Sequence, residues 1–449
     1  MLDKIASFKE KLTPNARKVL ANAVWLFTEK VWQLGLGLLV GIWVARYLGP
    51  EQFGILNYAM AMMGITSPIA KLGLDNIVIR DLAKDTTHKE EILGSAFVLK
   101  FFSSIATFCL TVAIIAITDR DNYLIPLLVA ILSFGLVLQS IDIIDFWFQS
   151  QTQAKFSVWA RNFAYILMSA VRIGLILLKA PLVMFALAMT IEIGIASLGM
   201  VVLYTKQGNL LKSWQPKLER MKTLLKDSWP LILSGIVILI YMRIDQIMLK
   251  SMVGDRSVGI YSAAVKISEL WYFVPGAIIN SVYPSIVRSK EAGEDFYYGR
   301  IQKLFDLMTI LAYGIAIVVT FLSPLIVSLL YGQKYLGAAN ILTIHIWTGV
   351  FVSLGLAREI WLTNEGLMKF AAVTTGIGAI INVGLNLLLI PKYEGTGAAL
   401  ATVVAQIFSA YLVGFFYAPT RRIFFSQTKS LFLVNNFKQL WQLVSRGDR

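Results

Sequence analysis

The sequence predicts an all-α polytopic membrane protein, with twelve transmembrane helices in two six-helix lobes. Three observations carry this. The 449 residues are 57% apolar and only 15% charged, where a soluble chain holds about 25% charged residues. Four stretches (Phe101 to Thr118, Leu307 to Gln333, Phe370 to Pro391 and Gly395 to Thr420) contain no charge at all. The basic residues between apolar runs alternate from one connection to the next. About 20 residues at ~1.5 Å each cross the hydrocarbon layer, and a buried soluble helix cannot explain four such runs. Mean hydropathy, at +0.67, agrees.

The first stretch, "MLDKIASFKEKLTPNARKVL", is no cleavable signal peptide, because it carries charges throughout and has no apolar h-region. Leu2, Ile5, Phe8 and Leu12 recur at helical spacing opposite Lys4, Lys9 and Lys11, which predicts a cytoplasmic surface helix over 1–18. Spans are expected at 20–45, 53–70, 93–117, 123–148, 157–178 and 181–204, then at 229–249, 258–283, 305–330, 338–363, 370–390 and 397–417. The even-numbered connections and both tails hold 26 Lys and Arg, the odd-numbered connections seven. By the positive-inside rule both termini are cytoplasmic. A net charge of +14 therefore reads as loops facing anionic lipid and not as a nucleic-acid footprint; no nucleic-acid partner is expected.

The basic connection at 205–228 separates an N-lobe (19–204) from a C-lobe (229–419), and a basic amphipathic tail follows at 420–449. In that tail Phe437, Leu440, Trp441 and Val444 share one helical face. The lobes carry a common landmark. "VARYLGPEQFGILNYA" joins spans one and two, "LKSMVGDRSVGIYSAA" joins seven and eight, and Gly49, Gly54 and Ile55 align with Gly254, Gly259 and Ile260 at an offset of 205. Pro50 disfavours helical geometry at Gly49, while Gly54 and Gly259 suit a close helix approach. A repeated six-span unit keeps its orientation, as in transporters with a central site and alternating access.

No catalytic or metal-binding constellation is present: His88 and His345 are isolated, Cys109 has no partner cysteine, and there is no P-loop. No enzyme activity and no cofactor are expected. The candidates for chemistry are charges inside spans, each costing at least a few kcal/mol and usually facing a cavity or a partner. Lys30, Arg172, Arg243 and Lys266 could line a central chamber for an anionic head group; alternatively they pair with the acids and hold helices together. Glu29, Asp142, Asp145, Glu192, Asp245 and Glu269 are candidates for H+ or Na+ coupling. Lys266 and Glu269 can share a helix face, whereas Arg243 and Asp245 need separate partners. Lys100, Arg161 and Arg358, near span ends, are expected to snorkel. Asn382 and Asn386, one turn apart, could bond sugar hydroxyls or link helices.

"WVARYLGPEQFGILNYAMAMMGI", "KLGLDNIVIRDLAKD", "YGQKYLGAANIL" and "PKYEGTGAALATVVAQ" resemble bacterial polysaccharide exporters, the O-antigen repeat-unit (Wzx-type) flippases of the multidrug/oligosaccharidyl-lipid/polysaccharide (MOP) exporter superfamily, most densely over Asn22 to Lys84. The resemblance implies a MOP/MATE-like fold in the bacterial cytoplasmic (inner) membrane. It implies a flippase that moves an undecaprenyl-pyrophosphate-linked oligosaccharide for O-antigen, lipopolysaccharide or related surface polysaccharide. Span one against eight, and seven against two, would rock as gates. Partners implied are the lipid-linked oligosaccharide, membrane lipids, a polysaccharide polymerase and a chain-length regulator. The alternatives are a drug or cation antiporter of the same superfamily, a flippase for another polyprenyl-linked polymer, an assembly scaffold and a membrane glycosyltransferase.

Overall fold

A computed structural model describes residues 14–119 and 123–433. The faces expected for surface helices, at Leu2 to Leu12 and at Phe437 to Val444, lie outside the described residues. Those residues are helical almost throughout: α1 (Pro14–Lys71), α2 (Asp75–Lys84), α3 (Lys89–Thr118), α4 (Leu124–Leu138), α5 (Ile143–Ser150), α6 (Lys155–Leu177), α7 (Leu182–Lys206), α8 (Leu218–Met252), α9 (Asp255–Leu270), α10 (Phe273–Ser289), α11 (Glu294–Tyr331), α12 (Gly337–His345), α13 (Thr348–Asn364), α14 (Met368–Gln406), α15 (Val413–Phe416) and α16 (Arg421–Leu431). Ten helical segments among them are long and apolar enough to cross a membrane, so the chain is an all-helical, multi-pass membrane protein. Large apolar side chains such as Phe102, Phe321, Ile380 and Leu388 stand exposed, as hydrocarbon-facing residues do.

Two of the ten segments hold a residue of non-helical, positive-φ backbone inside a helix. Gly49 (φ +73°, ψ 170°) interrupts α1, and Glu394 (φ +50°, ψ −131°) interrupts α14 three residues after Pro391. Val24–Lys84 has 61 residues and Met368–Phe416 has 49, each far beyond the length of one crossing.

The chain forms two compact units. One runs to Leu48 and from Ala59 to Ile236; the other takes Gly49–Tyr58 and continues from Val237. In the first, α6 lies along α7, α3 along α4, and α4 on α7. Its core gathers Leu74, Val78, Leu82, Leu93, Ile144, Phe148 and Tyr204. The stretch expected to be a linker is anchored here. Gln215 N donates to Glu90 O (3.0 Å), Lys217 Nζ lies 2.6 Å and Arg220 Nε 3.2 Å from Glu91, and α8 already begins at Leu218 because those ion pairs order its first turn. At the Asp85 turn, the Thr87 hydroxyl and the His88 ring bond the Asp85 carboxylate and hold it below the usual carboxylate range.

In the second unit α11 lies along α13 and α12, and α9 along α12, around a core of Tyr297, Ile301, Phe305, Leu354 and Trp361. The repeated turn is explained here. Gly254 also has positive φ (+123°). A Cβ on Gly54 would strike the Asp255 carbonyl, and one on Gly259 would strike the Pro50 carbonyl. Pro50 and Asp255 are themselves 205 apart, so the two copies touch reciprocally, backbone to backbone.

Candidate functional site

In the first unit the intramembrane charges are largely paired. Arg161, on α6, donates through Nε and Nη2 to both oxygens of Glu29 (2.6 and 3.0 Å) and through Nη1 to Asp145 (2.8 Å). Gln33 and Gln149 each add a bond to one of those carboxylates from one helical turn away (3.1 and 2.9 Å). The cluster ties α1, α5 and α6 together. Arg172 reaches Glu192 at 2.6 Å across α6 and α7. Lys100 is buried, with Nζ 4.8 Å from the Phe146 ring centre. Asp142 is half-buried in the short 3₁₀ turn Gln139–Asp142 between α4 and α5. Lys30 is exposed and has no salt-bridge partner among the described residues.

The second unit holds a different arrangement. Asp245 is 3% exposed and no cationic side chain pairs with it among the described residues. Three neutral donors reach it instead: the Tyr261 hydroxyl (2.5 Å), Asn386 Nδ2 (2.6 Å) and the Thr402 hydroxyl (2.8 Å). Asn382 completes the shell, accepting from Asn386 (3.0 Å) and donating to Thr402 (3.3 Å). Helices α8, α9 and both halves of α14 thereby converge on one carboxylate, and Asn386 Oδ1 is left without a hydrogen bond. Arg243 faces Glu269 at 3.7 Å, a loose pair. Lys266 does not pair with Glu269; its ammonium sits 4.7 Å from the Phe53 ring centre.

Asp245, Tyr261 and Glu269 line a cavity of 270 Å³ in this unit, together with Tyr241, Tyr272, Arg358, Glu359 and Thr402. Helix irregularities border it. The α9–α10 break at Tyr272 meets the α12–α13 break at Thr348 through a 2.7 Å hydrogen bond. The π-turn Ile407–Leu412 after α14 leaves the Ser409 carbonyl to accept from Arg358 (3.0 Å).

Several sequence-based expectations need correction. Snorkelling fails for Lys100 and Arg358, which are buried, and for Arg161, because each turns toward its own unit, Arg161 to the carboxylates Glu29 and Asp145. Asn382 and Asn386 have no exposed surface and their amides link α14 to α8, so hydrogen-bonding to sugar is replaced by the helix-linking alternative. Arg172 and Glu192 answer each other, which leaves neither as a free ligand for a head group or an ion. Glu29 and Asp145 likewise have a resident counter-charge in Arg161. Tyr261, Thr402, Arg358 and Arg161 were missed as site residues. A signal existed for Arg161: Asp145 has no base on its own short helix.

The family description "Polysaccharide biosynthesis protein" matches residues 19–290. The chain belongs to that family. A second description, MatE, matches residues 230–388. A Shigella flexneri protein named "Putative O-antigen transporter" is 22% identical over 418 residues, covering 89% of this chain and 97% of its own. The Haloferax volcanii "Probable low-salt glycan biosynthesis flippase Agl15" is 23% identical over 403 residues, covering 86% and 80%. Among solved structures, an inward-facing MATE family multidrug resistance transporter superposes with a TM-score of 0.73 at 17% identity, covering 87% of this chain and 94% of its own. The lipid II flippase MurJ in an inward closed conformation gives 0.68 at 14%, covering 94% and 93%. The family member described here thus has the MATE/MurJ fold.

Proposed function

We propose that this chain is a flippase for a lipid-linked glycan. It takes an undecaprenyl-pyrophosphate-linked oligosaccharide repeat unit, of O-antigen or a related surface polysaccharide, from the inner to the outer leaflet of the bacterial cytoplasmic membrane by alternating access. The observation that carries this reading is the similarity to the protein named "Putative O-antigen transporter" along 97% of that protein's length, with the one named "Probable low-salt glycan biosynthesis flippase Agl15" similar over most of its own. In this reading the breaks at Gly49 and Glu394 divide the two overlong segments, giving twelve spans in two six-helix lobes with both termini cytoplasmic.

The head group of such a lipid is polar and anionic, and it cannot enter hydrocarbon without losing the water that solvates it. Lys266, without a carboxylate in salt-bridge reach among the described residues, is the cation we assign to the pyrophosphate, with Arg243 as a second once it leaves its loose pair. Asp245 is the coupling carboxylate. It is buried, lacks a resident cation and is surrounded by oxygen and amide groups that can turn from donor to acceptor, so an arriving H+ or Na+ supplies the missing charge. A polymerase and a chain-length regulator are the protein partners expected downstream.

The test is translocation of a fluorescent undecaprenyl-pyrophosphate oligosaccharide in proteoliposomes under imposed H+ or Na+ gradients. Wild type moves the lipid; Asp245→Asn abolishes gradient-driven movement while the protein still folds. Efflux of organic cations without any movement of the lipid would instead favour the antiporter, a reading to which the three carboxylates lining the cavity (Asp245, Glu269 and Glu359) lend weight.

A further inference from the structure

Helix α16 carries cations and aromatics on one side. Arg422, Phe425 and Lys429, with Phe432 just past its end, recur three, four and three residues apart and so share a face. That face borders a 350 Å³ cleft in the second unit, lined by Tyr298 and Gln302 of α11 and by Arg422, Phe425, Ser426 and Lys429 of α16. The two walls are tied together. Gln302 Nε2 donates to the Ser426 carbonyl (3.1 Å) and the Ser430 hydroxyl (2.7 Å), and the Tyr313 hydroxyl donates to the Leu431 carbonyl (3.1 Å).

The lining holds two cations and no carboxylate. Arg422 lies over the Tyr298 ring, 3.4 Å from its centre. Of its N–H groups only one on Nη1 makes a hydrogen bond, to Glu294 (3.1 Å), and Asp295 stands 3.8 Å from Nη2. Both acids are highly exposed, and exposed pairs of this kind contribute little, so they do not hold Arg422 against a stronger anion. Lys429 is exposed and has no carboxylate in salt-bridge reach among the described residues. The hydroxyls of Tyr298 and Ser426 likewise have no hydrogen-bond partner there. Asp306 accepts from Gln302 (2.9 Å) and Ser430 (2.5 Å) and lies outside the lining. An arginine fork, a lysine point charge and free hydroxyls together complement a phosphate group.

The position of the cleft narrows the source of that phosphate. Gln302 stands five residues before the charge-free run that begins at Leu307, about 7.5 Å along the helix. Helix α16 starts directly after the charge-free run that ends at Thr420. The cleft therefore sits where hydrocarbon gives way to water. Phe416, Phe425 and Phe432 stand exposed at this level. A soluble anion would leave these rings in water, whereas a lipid supplies a phosphate for the cations and chains for the rings, as for an amphipathic helix on anionic lipid.

We propose that the α11–α16 cleft binds one anionic membrane lipid. Arg422 and Lys429 hold its phosphodiester, the Tyr298 and Ser426 hydroxyls add donors, and its chains pass Phe425 into the hydrocarbon. This lipid is a resident ligand and not cargo, so the site does not depend on which molecule the chain transports.

The test is native mass spectrometry of the full chain titrated with phosphatidylglycerol and phosphatidylcholine of identical chains. One phosphatidylglycerol should bind in clear preference to phosphatidylcholine. Arg422→Gln and Lys429→Gln should each weaken it about fivefold, and the double variant more. Arg288→Gln with Lys303→Gln, which removes the same charge outside the cleft, should leave the preference unchanged. If the double variant does not fold, Lys429→Gln alone decides, because that exposed side chain supports no contact within the protein. Three results would each overturn the proposal: no preference for phosphatidylglycerol, an equal loss in the control variant, or displacement of the lipid by inorganic phosphate at equal concentration. The last would make the cleft a site for a soluble anion.

Discussion

Arg161 takes both oxygens of Glu29 from 132 positions away in sequence, at 2.6 and 3.0 Å, and still has Nη1 left for Asp145 at 2.8 Å. One guanidinium thus neutralises two carboxylates on two other helices. Breaking such a cluster leaves uncompensated charge, which costs about 3–5 kcal/mol for a buried pair; Arg161 keeps 27% of its side chain exposed, which lowers that figure. We expect Arg161→Gln to reduce the melting temperature in detergent by more than the triple substitution Glu29→Gln, Asp145→Asn, Arg161→Gln. A triple variant no more stable than the single one would show that the charges are not coupled.

Arg172 and Glu192 form a simpler pair. Either single neutral substitution should lower stability, by about 1–3 kcal/mol, and the double substitution should recover part of the loss. Glycan transport by the double variant should stay near wild type, because the pair is structural. Loss of transport in a stably folded Arg172→Gln, Glu192→Gln protein would return both residues to the substrate path.

The shell around Asp245 predicts strong non-additivity. Asn386→Leu removes a 2.6 Å donor to a buried carboxylate and should cost about 1–3 kcal/mol. In an Asp245→Asn background the same change should cost clearly less, since the acceptor is no longer a carboxylate. A double-mutant cycle on unfolding midpoints measures the difference; equal costs in the two backgrounds would contradict the geometry.

The glycines of the repeated turn should fall into two classes. Gly49→Ala and Gly254→Ala meet no neighbour and lose only a backbone geometry (φ +73° and +123°, ψ 170° and 179°) that is essentially glycine's own, about 1–3 kcal/mol. Gly54→Ala and Gly259→Ala drive a methyl into a carbonyl of the facing turn, so backbone must move. Folded yield and melting temperature should drop far more for the second pair. Comparable losses across all four would rule out close contact as the reason for Gly54 and Gly259.

Much of this architecture was legible in the sequence because lipid imposes one rule everywhere: a crossing helix must be long and apolar. The uncharged run Phe101 to Thr118 falls within α3, Leu307 to Gln333 lies in α11 but for its last two residues, and the Gly49-Pro50 interruption appears as positive φ at Gly49. Neighbours across helices were harder to read. Arg243 and Asp245 were expected to need separate partners, and they find Glu269 and Tyr261. Nothing in the spacing of Asn382 and Asn386 says that both face Asp245, because that depends on how α14 is rotated against α8. Arg161 was misread for a related reason. A position near a span end suggests solvent, but Glu29 and Asp145 approach it from helices distant in sequence. The start of α8 at Leu218 reflects tertiary ion pairs to Glu91, which local polarity does not reveal.

The reciprocal contact of Gly54 with Asp255 and of Gly259 with Pro50 changes what an internal repeat means. Three shared positions, 205 apart, are slender as a record of ancestry, and most other positions of the two turns differ. Glycine is required in both turns at the crossing because each turn is the other's environment. A larger residue in one cannot be offset by a smaller residue in its counterpart, since nothing smaller than glycine exists. The two halves of the gene are therefore not free to drift independently at this point. They constrain each other through their backbones, and what looks like a relic of duplication is a constraint that acts in every folded molecule.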